Sequence, residues 1–343
     1  MLTMPASTLR GPVTQRIVCF GEILLRLAPP GRELLMQSGQ LQATFAGAEA
    51  NVAVALASFG HAVEMLTIAP EGPLGNALVA ELRRNGVGID RIKRTTGRLG
   101  LFFYTPGALR RPSEILYDRA GSAFAANPAL CADPQTLDGA QWFHISGVTP
   151  ALGRASADAA IAMAQAARMR GVGISFDGNY RSKLWESWRD QAPAILRQLF
   201  ETADIVFGDA RDIALVLGKS FPNTEAAAAA AFAAFPHLKR IAYTTRISRA
   251  VEHQDYGARM HMRTGTHEVP TIELSGIVDR VGTGDAFAAG VIHGLLTKMT
   301  DADALKFGHA AACLKHSIFG DFLTLNAEAV RHSIGDGSLD VRR

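Results

Sequence analysis

Near the end of the chain, Gly282-Thr283-Gly284 runs directly into Asp285. Two glycines let successive backbone N–H groups converge with no Cβ in the way. Beyond them, Phe287, Val291, Ile292, Leu295 and Leu296 recur at helical spacing, so the turn opens a helix. A helix start adds free N–H groups and the positive end of a dipole, which makes the turn a cradle for an anion. Asp285 places a carboxylate in that same cradle. Such a carboxylate is odd where anions are only bound, and makes sense where it takes a proton from a hydroxyl that attacks phosphorus. Taken alone, the turn is equally well a helix start with a dipole-favoured Asp. A short apolar pair, Ile277-Val278, precedes it, so the whole reads as strand, glycine turn and helix.

The elements that must hold this turn lie upstream. Gln141–Ser146 precedes a helical pattern at Arg154–Arg170, and Val172–Asp177 precedes one at Arg189–Phe200. Ile205–Phe207 is followed by Asp209–Leu217, closed by Gly218, and Thr224–Phe235 leads to Lys239–Thr244. This alternation predicts a parallel sheet covered on both faces. Ligands in such sheets lie beyond the carboxyl ends of the strands. Asp177-Gly178-Asn179-Tyr180-Arg181, Gly208-Asp209 and Thr244-Thr245-Arg246 all fall at those ends. Their convergence with Gly282–Asp285 on one edge favours a site. Residues 248–275 predict short, broken antiparallel strands at the sheet edge, and helices follow at Asp301–Lys315 and after Leu325-Asn326.

The first third is less regular. Arg16–Leu27 reads as one apolar strand, with Gly21 marking a close approach. Residues 32–45 predict an exposed flap. Gly47-Ala48-Glu49-Ala50-Asn51 leads into a helix closing at Gly60. Ala48 and Ala50 suit close packing as readily as a ligand, whereas Glu49 and Asn51 need polar partners. Val63–Ile68 predicts a strand and Leu74–Gly86 a helix. Leu99–Thr105 and Glu114–Arg119 predict a surface hairpin, which with residues 23–45 makes a small second sheet. Phe102, Tyr117 and Arg119 crowd there, either as a solvated aromatic patch or as a lid over a negatively charged substrate.

Composition narrows the classes. The 343 residues are 48% hydrophobic and 20% charged, an ordinary globular balance with room for one large α/β domain and an appendage, or two domains. A net charge of +3, with no basic run interleaved with aromatics, gives no case for nucleic acid. No apolar stretch has the length of a membrane span. Cys19, Cys131 and Cys313 are odd in number and widely spaced, which suggests reduced thiols in a cytoplasmic protein. Residues 1–15 read as a disordered N-terminal extension.

Together these residues resemble the PfkB, or ribokinase-like, family of carbohydrate kinases over about residues 16–333. Asp279 and Gly282-Thr283-Gly284-Asp285 are similar to the family's C-terminal signature. Arg280 stands where a small residue is common and Thr283 where Gly or Ala is usual; neither change removes a backbone N–H. Gly47–Asn51 resembles the N-terminal signature. Leu25–Gly31, Gly47–Asn51, Asp177–Trp185 and Lys315–Phe322 are most similar to the 2-keto-3-deoxygluconate kinases of the family. The resemblance implies a three-layer α/β/α sandwich with a mainly parallel sheet and a small β lid from about 23–45 and 97–120. The kinase domain would span 16–333, with a tail at 334–343. It implies a homodimer paired through the lids, and ATP- and Mg²⁺-dependent phosphorylation of the C6 hydroxyl of 2-keto-3-deoxygluconate or a similar sugar acid.

It also implies roles. Asp285 would be the general base, with the N–H groups of Gly282, Thr283 and Gly284, and the charge of Arg181, facing the phosphoryl oxygens. Substrate contacts would come from Gly47, Ala48, Glu49, Ala50 and Asn51, from Asp321, and from Phe102, Tyr117 and Arg119. Neutral-sugar relatives carry an Asp near Arg26; a carboxylate substrate instead wants an arginine fork, first of all Arg119. Asn179, Arg181, Thr244, Thr245 and Arg246 would serve the nucleotide, with Gly282 and Gly284, and Cys313 would border the adenine. Asp209 and Asp212 fit either Mg²⁺ or a helix N-cap with a first-turn acid. A fructokinase- or ribokinase-type enzyme and a non-catalytic sugar or nucleotide sensor are the alternatives. Retention of Asp285 and both glycines speaks against the sensor. A dinucleotide-dependent dehydrogenase fails for want of Gly-x-Gly-x-x-Gly after the first strand.

Overall fold

After Arg16 the first strand is wholly apolar and buried on both sides. Ile17 and Cys19 enter one core layer, Val18 and Phe20 the other. That is how a central strand of a covered parallel sheet reads. The computed structural model describes residues 16–334; the expected extension at 1–15 and the tail beyond 334 lie outside the described residues.

The chain begins β1 (Arg16–Phe20), β2 (Leu24–Ala28), β3 (Gln42–Ala46), α1 (Ala48–Ser58), β4 (Ala62–Leu66), β5 (Ile68–Pro70), α2 (Pro73–Arg84) and β6 (Lys93–Thr95). Next come β7 (Gly100–Thr105), β8 (Glu114–Asp118), α3 (Ala123–Ala126), β9 (Ala140–Ser146), α4 (Arg154–Met169), β10 (Gly173–Asp177), α5 (Ala192–Thr202) and β11 (Ile205–Phe207). The last part holds α6 (Ala210–Leu217), α7 (Thr224–Ala234), β12 (Arg240–Ala250), β13 (His253–Met262), β14 (Gly265–Ser275), α8 (Thr283–Leu296), α9 (Asp301–Lys315) and α10 (Ala327–Ile334).

The main sheet has 8 strands in the order β14-β13-β12-β11-β10-β9-β1-β4. Neighbours from β12 to β4 are parallel, and β13 and β14 add an antiparallel edge. Residues of α1, α2, α8, α9 and α10 fill one core layer and those of α3 to α7 the other, so the α/β sandwich is as expected. A smaller sheet of 4 strands, β3-β2-β7-β8, stands apart. α8 and α9 pack so closely that a Cβ on Gly290 would lie 2.6 Å from the Cα of Gly308. This contact makes a stiff support for the start of α8. Among the described residues no helix is long and apolar enough to cross a membrane.

Four local expectations need correction. Arg16–Leu27 is two strands, because after Phe20 the chain leaves the main sheet and β2 pairs with β3 and β7. Residues 42–45 of the expected flap lie in strand β3, since β2 satisfies their backbone groups. Ile277-Val278 is not a strand: the amides of Val278 and Asp279 donate to His316 O at 2.9 and 3.2 Å, at the end of α9. Residues 248–275 are mostly two long strands, whose broken pattern comes from register shifts at Ser248/Ala250 and Tyr256/Ala258. Thr244-Thr245-Arg246 therefore lies inside β12, which continues past the end of β11 with β13 beside it.

Candidate active site

The ends of β10 and β11, the overhanging half of β12 and the start of α8 face the small sheet across a cavity of about 1330 Å³. That volume exceeds a pocket for one drug-sized ligand. Gly282 caps α8 with φ 81°, and a Cβ there would lie 2.1 Å from Asp321 O, so only glycine fits. At Gly284 an added Cβ would meet nothing within 4 Å. Its bareness serves the cavity, not the packing. Among the described residues the amides of Gly282, Thr283 and Gly284 donate to no protein acceptor. They are the unsatisfied donors of a helix start, set in the cavity wall.

Asp285 follows in the first turn of α8, buried at 8% exposure. Its Oδ2 accepts from Asn51 Nδ2 at 2.6 Å. Burial pushes its carboxyl up to about 6; the Asn51 hydrogen bond opposes the rise, Asp321 adds to it, and Arg181 and Lys315 oppose it. A carboxylate poised below neutrality is ionised at pH 7 yet basic enough to take a proton.

The start of α1 packs against the turn after β1. A Cβ on Gly47 would lie 2.4 Å from Glu22 O, and one on Gly21 would lie 2.2 Å from Glu49 Oε2, so what approaches Gly21 is a side chain and not the ligand or backbone expected there. Glu49 Oε1 accepts from Ser146 N at 3.0 Å and Thr149 Oγ1 at 2.7 Å, and burial pushes its carboxyl up to about 7. Gly47, Ala48, Glu49 and Asn51 line the cavity. Ala50 does not: it is fully buried in the core beneath, so of the two alanines only Ala48 remains a contact.

Phe102, Tyr117 and Arg119 line the cavity from the small sheet. Arg119 is not a free fork, however. Its Nε and Nη2 donate to Glu22 Oε2 at 2.8 and 2.5 Å, while Ser122 Oγ donates to Glu22 Oε1. Arg26 is buried and bridges two acids, with Nη1 2.6 Å from Asp321 Oδ1 and Nη2 2.7 Å from Asp279 Oδ2. Asp321 thus reaches the cavity wall with one oxygen already engaged.

Asn179 and Arg181 follow β10, and Asn179 takes φ 38°, a conformation its short amide tolerates. Arg181 is exposed and makes no ion pair among the described residues. Trp185, at 0% exposure, roots this segment in the core. Thr244, Thr245 and Arg246 line the far side, with the Arg246 guanidinium 5.5 Å from the centre of the Tyr256 ring. Cys313 is not on the cavity: it sits beside His309, 3.7 Å from Nε2, with its thiol pushed up to about 12 by burial.

Asp209 and Asp212 line the cavity but form a capping box. Asp209 accepts from Arg211 N at 2.7 Å and pairs with the Arg211 guanidinium, and Asp212 Oδ2 accepts from Asp209 N at 2.9 Å. Of the two expected roles, the helix start is the one this geometry displays. Among the described residues no group of 3 or more His, Cys, Asp or Glu side chains could hold a metal ion by itself.

Of the cavity residues given no role from sequence, three charged ones stand out. Glu22 is one, and its signal was a lone acid in an apolar run. Asp177 is another: desolvation, then Asp285 and Asp212, push its carboxyl well up. Arg280 was visible only as a departure from a signature. It lines the cavity half-buried, and desolvation and Arg246 lower its proton affinity.

A buried basic carboxylate beside unpaired helix-start amides and an unpaired arginine is equipped for phosphoryl transfer to a hydroxyl. The sequence pattern of pfkB family carbohydrate kinases matches residues 14–321. The chain belongs to that family. A 2-dehydro-3-deoxygalactonokinase of Haloferax volcanii is 32% identical over 331 residues, covering 96% of this chain and 100% of that protein. A 2-dehydro-3-deoxygluconokinase of Bacillus subtilis is 30% identical over 80% of this chain and 82% of its own length. The crystal structure of a 2-dehydro-3-deoxygluconokinase from Thermotoga maritima superposes with TM-score 0.88 at 36% identity, covering 93% of this chain and 99% of that one. As a PfkB protein the chain is a carbohydrate kinase.

Proposed function

We propose that this kinase transfers the γ-phosphoryl group of ATP to the C6 hydroxyl of 2-keto-3-deoxygluconate or a similar 2-keto-3-deoxy sugar acid. The observation that carries the reaction is Asp285, a buried carboxylate raised to about 6 at the mouth of an unpaired helix start. Asp285 takes the hydroxyl proton as that oxygen attacks in line. The Gly282, Thr283 and Gly284 amides and Arg181 meet the charge that develops on the phosphoryl oxygens. Names of similar proteins support a sugar acid and leave the gluconate and galactonate epimers both in play.

The acid group is read on the small-sheet side, as a lid. Arg119 offers its remaining Nη1 there beside Tyr117 and Phe102, and Arg280, near Tyr104 of the same sheet, adds a second cation. Phe102 brings no hydroxyl, so the substrate has one partner fewer on that strand. Nucleotide contacts fall to Asn179, Arg181, Thr244, Thr245 and Arg246.

Magnesium fits the donors present. Asp177 and Asp212 are cavity carboxylates whose proton affinity is raised first by desolvation, with Asp285 and Asp212 adding to the rise at Asp177 and Asp209 to that at Asp212, a cost that a divalent cation relieves. They would hold the ion through its waters, with Asp209 kept at the cap. When bound, the ion neutralises phosphate charge.

Pairing of two copies through the lids is supported by the outward face of the small sheet. Leu27, Phe103 and Leu116 stand side by side across β2, β7 and β8, and Leu116 is 61% exposed. Three free cysteines suit a reducing cytoplasm. The deciding measurement is ADP release across a panel of sugar acids and neutral sugars. Turnover confined to 2-keto-3-deoxy acids is the expected result. Preference for fructose or ribose would overturn the substrate reading.

A further inference from the structure

Lys315 ends α9 at 0% exposure, one of the largest fully buried side chains in the protein. Burying an ammonium is costly unless it is paired and hydrogen-bonded. Its Nζ donates to Ile318 O at 2.9 Å, folding the loop that follows back onto the helix end. That loop holds the phosphoryl-transfer turn at four points. Val278 N and Asp279 N donate to His316 O, Gly320 N donates to Asp279 Oδ2 at 3.1 Å, and Gly282 rests against Asp321 O. Asp279 in turn caps the turn from inside, its Oδ1 accepting from Val281 N at 3.0 Å. The charged groups that act on Lys315 are Asp279, Asp321, Arg26 and Asp285. Those that act on Asp285 include Asp321, Arg181 and Lys315, and Asp285 in turn acts on Glu49 of α1 and on Asp177 at the end of β10.

We propose that Lys315 is the positioning residue of the turn. Its buried ammonium pins the 316–321 loop, and through that loop sets the Gly282–Gly284 amides and the Asp285 carboxylate, while its charge balances the acids beneath them. It touches neither substrate nor nucleotide. The inference rests on the reading of Asp285 as the base.

The test is K315M, which keeps the length of the side chain and removes the charge and the donor. The expected result is a kcat lower by on the order of 10²-fold, as for small displacements of a catalytic group. The acid limb of kcat/KM should move up by roughly half a pH unit or more, because the carboxylate loses a favourable charge. A purely structural lysine would lower the melting temperature and leave that limb in place; that result, or wild-type kcat, overturns the proposal. Should K315M not accumulate folded, D279N and K315M/D279N are compared, the second having lost one charge of each sign. The double variant is expected at least about tenfold below D279N in kcat, with a higher acid limb, and equality overturns the proposal. D285N is run alongside. An inactive D285N with unaffected K315M removes this inference alone, whereas an active D285N removes the base assignment.

Discussion

Asn51 donates from Nδ2 to Asp285 Oδ2 at 2.6 Å across 234 positions of sequence, while its Oδ1 accepts from Gly47 N at 3.3 Å. One amide therefore fixes both the start of α1 and the orientation of the carboxylate. The bond favours the ionised acid, against the burial that raises it to about 6. In wild type, kcat/KM is expected to fall as pH drops through about 6, since protonated Asp285 cannot accept a proton. In N51A the limb moves to higher pH, and turnover at pH 7 drops by roughly tenfold or more. A pH profile of both proteins checks this, and an unshifted limb would show that another group is titrating.

The two glycines of the turn should behave differently. G282A places a Cβ 2.1 Å from Asp321 O at φ 81°, so it should destabilise the fold by at least about 2 kcal/mol and abolish turnover. G284A meets nothing within 4 Å, so its urea midpoint should stay near wild type. Its methyl group would instead intrude where the phosphoryl oxygens meet the amides, for a loss of about 10²-fold or more in kcat. Equal unfolding midpoints with unequal activity would separate packing from chemistry. An active G284A would count against the anion cradle.

Arg181 is exposed and unpaired among the described residues. R181M should therefore leave thermal stability within about 0.5 kcal/mol while lowering kcat by about 10²-fold. Steady-state kinetics beside a melting curve checks both halves. A variant with full kcat would remove Arg181 from the phosphoryl site.

Far from the cavity, Asp204 tests the scaffold. Burial raises its proton affinity, but Arg168 at 2.8 Å, Lys239 at 2.9 Å and Ile174 N at 2.9 Å outweigh that, and its pKa is lowered. A depressed carboxyl stabilises the fold above its unfolded pKa, and that stability is lost as pH falls through the folded value. D204N should cost about 3 kcal/mol at pH 7 and little once wild-type Asp204 is itself protonated. Urea midpoints of the two proteins from pH 7 downward should converge. A constant gap would mean that packing, and not charge, is what Asp204 supplies.

Much of this was present in the residue order. The alternation from residue 140 onward determined a covered parallel sheet, because strands buried on both faces read as continuous apolar runs. Gly282-Thr283-Gly284-Asp285 announced a helix start with free amides, since backbone geometry there depends on residues adjacent in sequence. Sequence could not say which charges were already paired. Arg119 looked free until Glu22 closed on it from 97 positions away, and Arg26 proved to be a buried bridge between Asp279 and Asp321. Asp209 and Asp212 had two equal readings, and only the folded chain displays the hydrogen bonds of the capping one. Ala50 shares α1 with cavity residues yet faces the core, and Cys313 lies on α9, none of whose residues lines the cavity. Local periodicity is written along the chain, but ion pairing depends on distances that exist only after β1, α1, α8 and the loop after α9 have met.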